Sequence, residues 1–205
     1  SKVIPVLLVA AAVLTTGCAK KAPKAERFSS APVRPVASDK VAINYRPDEK
    51  APSAGPIIFQ AFYMTADMPR LETVELQNSG DVWTGTLPAA GPDNYGILGV
   101  FKGADGWSDT NGGKGYALAL HTSVGKPVPG YGAALGSALA IWGRSIAGLD
   151  EDMEQGLAMI EHDFQETPAL KPVFLSSYVS VLMGMKPEGW QNKVLAFLDE
   201  MAPAD

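Results

Sequence analysis

Cysteine is almost absent from this 205-residue chain: there is one, Cys18, and only two histidines, His121 and His162. A single thiol excludes an internal disulfide, a CxxC redox pair and a cysteine metal cluster, so the fold must rest on core packing. Two histidines without repeated spacing exclude the usual zinc patterns. Charge is sparse and unbalanced, at 19% charged residues and a net charge of −5, which argues against a nucleic-acid surface. No GxSxG elbow surrounds Ser145, Ser176 or Ser177, and Asn111-Gly112-Gly113-Lys114-Gly115 lacks the spacing of a phosphate loop. The carboxylates Asp150, Glu151, Asp152 and Glu154 cluster where a helix is expected to start, and the helix dipole accounts for them. No catalytic residue and no metal site is assigned, and a non-enzymatic role is expected.

The lone cysteine closes a distinctive opening. SKVIPVLLVAAAVLTTGC has one lysine near its start, an apolar run from Val3 to Leu14, and small residues leading to Cys18. That pattern reads as a secretory signal, too short to span a bilayer comfortably as a permanent helix. Leu14-Thr15-Thr16-Gly17-Cys18 resembles a bacterial lipobox. The resemblance implies a signal peptide over 1–17, cleavage before Cys18 and covalent lipid on that residue as the chain's only prosthetic group. Each buried acyl methylene contributes about 0.8 kcal/mol, so two or three chains hold the protein durably at a membrane. Ala19 stands where an aspartate would favour the inner membrane, so the resemblance implies the outer membrane of a bacterial envelope.

Residues 18–40 are rich in Pro, Ala, Ser and Lys, with five Lys/Arg against one acid between Ala19 and Ser38. Such a segment buries too little to offset its ordering entropy, and a disordered basic stalk is expected. The rest is acidic, with 21 Asp/Glu against 11 Lys/Arg over 39–205. From Val41 the pattern becomes short β-type runs: VAINY, IIFQAFYM, LETVELQ, VWTGTLP, YGILGVFKG and GYALALHT. Six such runs with close turns predict an antiparallel immunoglobulin-like β-sandwich over 41–124. Beyond the breaker GKPVPGYG the period is helical, with stripes Leu135/Leu139/Trp142/Ile146, Met153/Leu157/Ile160/Phe164, Phe174/Tyr178/Val181/Met185 and Trp190/Val194/Phe197/Leu198/Met201. Asp150 is the expected N-cap of the second. Four short helices over 131–202 predict a small tetratricopeptide-like domain, making the whole α+β.

The stretch GADGWSDTNGGKGY, residues 103–116, concentrates glycine, amide and carboxylate around Trp107. An EF-hand register would put Trp107 and Leu118 at essential ligand positions, which disfavours that calcium site; a looser oxygen site using Asp105 and Asp109 is left open. A sugar site needs an aromatic face with amides and carboxylates beside it, and Trp107, Asp109, Asn111, Lys114 and Tyr116 supply both. The competing reading makes the stretch a hairpin connection, with Trp107 folded under it as a core plug.

In order, IIFQAFYM, VELQNSGDVWTGTLP and YGILGVFKGADGWSDTNGGKGYALAL resemble the sandwich upstream of the thioredoxin domain in TlpA-like bacterial lipoproteins, and also starch-binding carbohydrate modules. The TlpA-like resemblance implies a following helical, repeat-like segment and places this chain as the non-catalytic front half. The leading expectation is an envelope lipoprotein acting as an interaction or assembly module, with a protein partner or its own copies. The alternatives are a glycan-binding module using the Trp107 loop, and an accessory or truncated half of a thiol-disulfide oxidoreductase.

Overall fold

A computed structural model describes residues 26–48, 51 and 55–201; the signal segment, Cys18 and the first part of the expected stalk lie outside them. Among the described residues there are eight strands: β1 (Phe28–Ala31), β2 (Val41–Tyr45), β3 (Ile57–Met64), β4 (Arg70–Ser79), β5 (Val82–Leu87), β6 (Gly96–Lys102), β7 (Ser108–Asp109) and β8 (Tyr116–Ala119). All pair antiparallel in the order β1-β2-β5-β4-β3-β6-β7, with β8 also on β6. Strand β4 changes partner along its length: Arg70–Leu76 face β3, and Gln77–Ser79 face β5. At that change the sheet curls over, and side chains of β2, β3, β5, β6 and β8 meet in an inner core.

Alternation then sorts the side chains, because successive residues of a strand point to opposite faces. Ile57, Phe59, Ala61 and Tyr63 enter the inner core, whereas Phe62 and Met64, with Leu98 and Val100 of β6, pack under the helices. Burial on both faces explains why IIFQAFYM and GILGVFK carry apolar runs with so little interruption. Gly99 is required by Phe59, since a Cβ there would lie 1.9 Å from the ring.

The helical layer begins with α1 (Tyr131–Ser137), which continues without a break as a π-helix over Ala138–Ala147. Then come α2 (Met153–Glu166), α3 (Leu175–Met185) and α4 (Trp190–Met201). The π-helix alters the expected stripe. Of its buried residues Ala138, Ala140, Trp142, Gly143 and Ala147, all but Ala140 fall four to five apart, near the period of i→i+5 bonding, and Ile146 is exposed. Helices α1 and α2 cross at glycines: a Cβ on Gly136 would sit 2.5 Å from the Gly156 carbonyl oxygen. Asp163 of α2 accepts a 2.8 Å bond from the Ala133 amide and so caps the start of α1. Asp152, not Asp150, caps α2, accepting from the Gln155 amide at 2.9 Å.

Two expectations change at the segment ends. The segment expected as a disordered stalk over 18–40 contains β1, which pairs with β2 from Phe28 to Ala31. Phe28 stacks 5.9 Å from Phe59 and lies tilted 5.1 Å from Tyr116, so distant aromatics supply the burial that local composition lacks. The sheet and the helices also share one core through Phe62, Met64, Leu98 and Val100, so residues 125–130 join two layers of one α+β body.

Candidate functional site

The returning strand after β6 is broken in two. The hairpin tip is short, closed by the Gly103 amide donating to the Trp107 carbonyl at 3.0 Å. From there β7 pairs Asp109 with Phe101, and β8 pairs Tyr116 with Gly99, both along the same edge of β6. Residues 110–115 are therefore a bulging insertion within an edge strand, and the hairpin connection proper is residues 103–107. Asn111 takes the left-handed conformation, φ 54°, which asparagine tolerates better than most residues. The Gly113 carbonyl accepts from the Asp150 amide at 2.8 Å, and a Cβ on Gly113 would overlap the Asp150 carboxylate at 2.1 Å. The bulge thus braces the sheet against the loop that precedes α2.

At the root of the bulge, Asp109 is buried, with 9% of its surface exposed. One carboxylate oxygen, Oδ2, accepts from the Tyr45 hydroxyl at 2.5 Å, from the Tyr116 hydroxyl at 2.8 Å, and from the Arg27 guanidinium. The other, Oδ1, accepts from the Asn111 amide at 2.9 Å. Burial alone would raise the Asp109 pKa, but the bonds from Tyr45, the Asn111 amide and Tyr116, with the Arg27 charge, leave it below the ordinary carboxylate value. Burial first, and the hydrogen bond to Asp109 second, push both tyrosines well above the ordinary phenol value. The cluster is a fixed anion held by neutral phenols and one cation, joining the segment before β1 to β2, β7 and β8.

The five loop residues singled out by sequence therefore separate. Asp109 and Tyr116 come together, but their polar atoms bond each other. Asn111 donates its side-chain amide to the Gly115 carbonyl at 2.9 Å, holding the bulge closed. Trp107 is half-buried against the inner core, and Lys114 is exposed. The looser calcium site meets the same difficulty, because the Asp109 oxygens already accept from four donors; the Asp105 side chain lies outside the described residues. Among the described residues there is no group of three or more His, Cys, Asp or Glu able to hold a metal ion.

Arg27 and Tyr45 were not found by the sequence reading. Tyr45 ends an alternating strand on its inward face, where a phenol needs a partner, and that was the available signal. Arg27 lay in a stretch with no periodicity to mark it.

Comparison with protein-family models, curated proteins and solved structures finds no match. The likeness to TlpA-like lipoproteins rests on the quoted motifs alone.

Proposed function

We propose that this chain is a non-enzymatic bacterial envelope lipoprotein, anchored through lipid on Cys18, whose folded body is an interaction or assembly module. The observation that carries this reading is the sole cysteine placed at the end of an apolar run within Leu14-Thr15-Thr16-Gly17-Cys18. Exposed apolar side chains support the second half. Met68, 65% exposed, and Ile141, 43% exposed, line one depression together with Trp142 and Ser177. In this reading the curled sheet is an immunoglobulin-like sandwich and the helices are tetratricopeptide-like hairpins.

Glycan capture through the Trp107 loop has weaker support, because Asp109, Asn111 and Tyr116 spend their polar groups on the fold. The accessory redox role has only the family resemblance behind it.

Expression of the full chain with its own signal in a bacterial host tests the anchor. Radiolabelled palmitate should enter the wild type and not Cys18→Ala, and the variant should leave the membrane fraction. Label in both, or in neither, would remove the lipoprotein reading. Density separation of the membranes then tests outer-membrane placement. Cross-linking in intact envelopes tests the module, and recovery only as an uncross-linked monomer would overturn it.

A further inference from the structure

A second polar site lies among the helices and shares no lining residue with the Asp109 cluster. Helices α2, α3 and α4, with Lys171 from the turn before α3, line an open surface depression of about 400 Å³, within the size range of small-molecule sites. Its floor is aromatic: Phe164, Tyr178 and Phe197 have ring centroids 4.6 to 5.5 Å apart. Its walls carry Glu161 and Glu200 against Lys171 and Lys193. The Glu161 carboxylate accepts from the Tyr178 hydroxyl at 3.3 Å.

The chain already places an ammonium group here. The Lys171 Nζ stands 5.8 Å from the centroid of Phe197 and pairs with the Glu200 carboxylate. An aromatic face and a carboxylate are the two partners an organic ammonium requires. Lys193 adds a cation to the same wall, where it can meet an anionic group. Two carboxylates and two ammonium groups also give the walls no net charge, so a ligand of one sign gains from one pair and is opposed by the other. Helix α4, which supplies Lys193, Phe197 and Glu200, fully buries Phe197 alone, with Val194 and Met201 partly buried against the core, so that wall is held by fewer buried side chains than α2 or α3.

We propose that this pocket binds a compact zwitterion. The ligand ammonium takes the place of Lys171 over Phe197 and beside Glu200, and its anionic group meets Lys193 and the displaced Lys171. A phosphoethanolamine group has this chemistry, whether free or as a lipid headgroup. The site is independent of how the chain is anchored.

Calorimetric titration of the full chain with O-phosphoethanolamine, compared with ethanolamine, tests the assignment. Saturable binding is expected, with Glu200→Gln weakening both probes. Lys193→Met should weaken O-phosphoethanolamine by about threefold to tenfold and leave ethanolamine unchanged. Lys171→Met should tighten ethanolamine by a similar factor, because the built-in competitor is gone; a melting curve checks that the variant stays folded. Should it unfold, the Lys193→Met discrimination decides alone. Sedimentation with phosphatidylethanolamine vesicles, using Cys18→Ala to remove the anchor, separates the sources: vesicle binding lost in Lys193→Met points to the headgroup, and binding of the free probe alone points to a soluble ligand. No saturable binding of either form, or equal loss of both probes in Lys193→Met, would overturn the proposal.

Discussion

The Tyr45 hydroxyl donates to the Asp109 carboxylate at 2.5 Å across 64 residues of chain, and with Tyr116 and Arg27 it ties the two ends of the curled sheet together. Removing the carboxylate takes the shared acceptor away from two buried phenols, while the Arg27 guanidinium keeps only the more distant Asp48 carboxylate at 3.6 Å and the Tyr45 hydroxyl at 3.4 Å. Asp109→Ala is expected to cost about 3 kcal/mol or more in urea unfolding, because buried donors would lose their partner. Asp81→Ala, in the exposed β4–β5 turn, should stay within about 0.5 kcal/mol of wild type. Equal effects at the two sites would mean that the cluster contributes nothing special.

Acid should act through the same carboxylate. Its folded pKa lies below its ordinary value, so its contribution is complete above that ordinary value, near 3.8, and is lost as pH falls through the lower folded value. Acid unfolding below about pH 4 should be less steep in Asp109→Asn than in wild type. Identical slopes would remove Asp109 from the acid transition.

Alkali should act through the tyrosines, all six of which have raised pKa values. Burial is the largest cause at each; Tyr63 and Tyr178 reach about 12. A raised phenol pKa favours the folded state below the ordinary value of 10, and that advantage disappears as pH rises toward the folded value. Absorbance at 295 nm should therefore show little tyrosinate at pH 10 in the folded protein, and ionisation should coincide with unfolding above it. A full set of normal titrations in a folded sample would contradict the burial.

The crossing of α1 and α2 gives a contrast between glycines. Gly136→Ala gains about 1 kcal/mol of helix propensity but drives a methyl to 2.5 Å from a backbone carbonyl that cannot move away cheaply. A net loss of about 1 to 3 kcal/mol is expected from the overpacking. At Gly184 a Cβ meets only the end of Met153, at 3.3 Å. There Gly184→Ala should be neutral or stabilising in thermal melts; if both substitutions stabilise, the helices are not in backbone contact.

Trp107 supplies a direct check on the bulge. Titration with α-glucans should leave tryptophan fluorescence unchanged, whereas Trp107→Ala should lower stability by about 1 to 3 kcal/mol through lost contact with the inner core. A saturable, Trp107-dependent signal would reinstate the sugar site.

The middle strands were legible because period-two alternation and bulky apolar runs are local signals. IIFQAFYM and GILGVFK stand where they were expected, as β3 and β6. Phe28–Ala31 was invisible because FSSA offers one large apolar side chain, and its place is set by β2 and by aromatics far along the chain. The π-helix was also hidden, since an α-helical period accounts for Leu135, Leu139 and Trp142 and fails only at Ile146. The Gly-rich stretch was recognised as structural punctuation, but its composition does not reveal whether it turns the chain or interrupts a strand. That distinction depends on Asp109 pairing with Phe101 while Tyr116 pairs with Gly99.

The interruption at 110–115 also bears on how the molecule behaves in a crowd. A long, straight outer strand offers a run of free amides and carbonyls on which another chain can assemble, and this is a common route to aggregation. Here that side of the sheet presents two residues of β7, a bulge and four residues of β8, with the bulge carbonyls of Thr110, Asn111, Gly113 and Gly115 already bonded within the chain. The stretch that looks most like a binding loop is, on this view, a guard against unwanted strand addition.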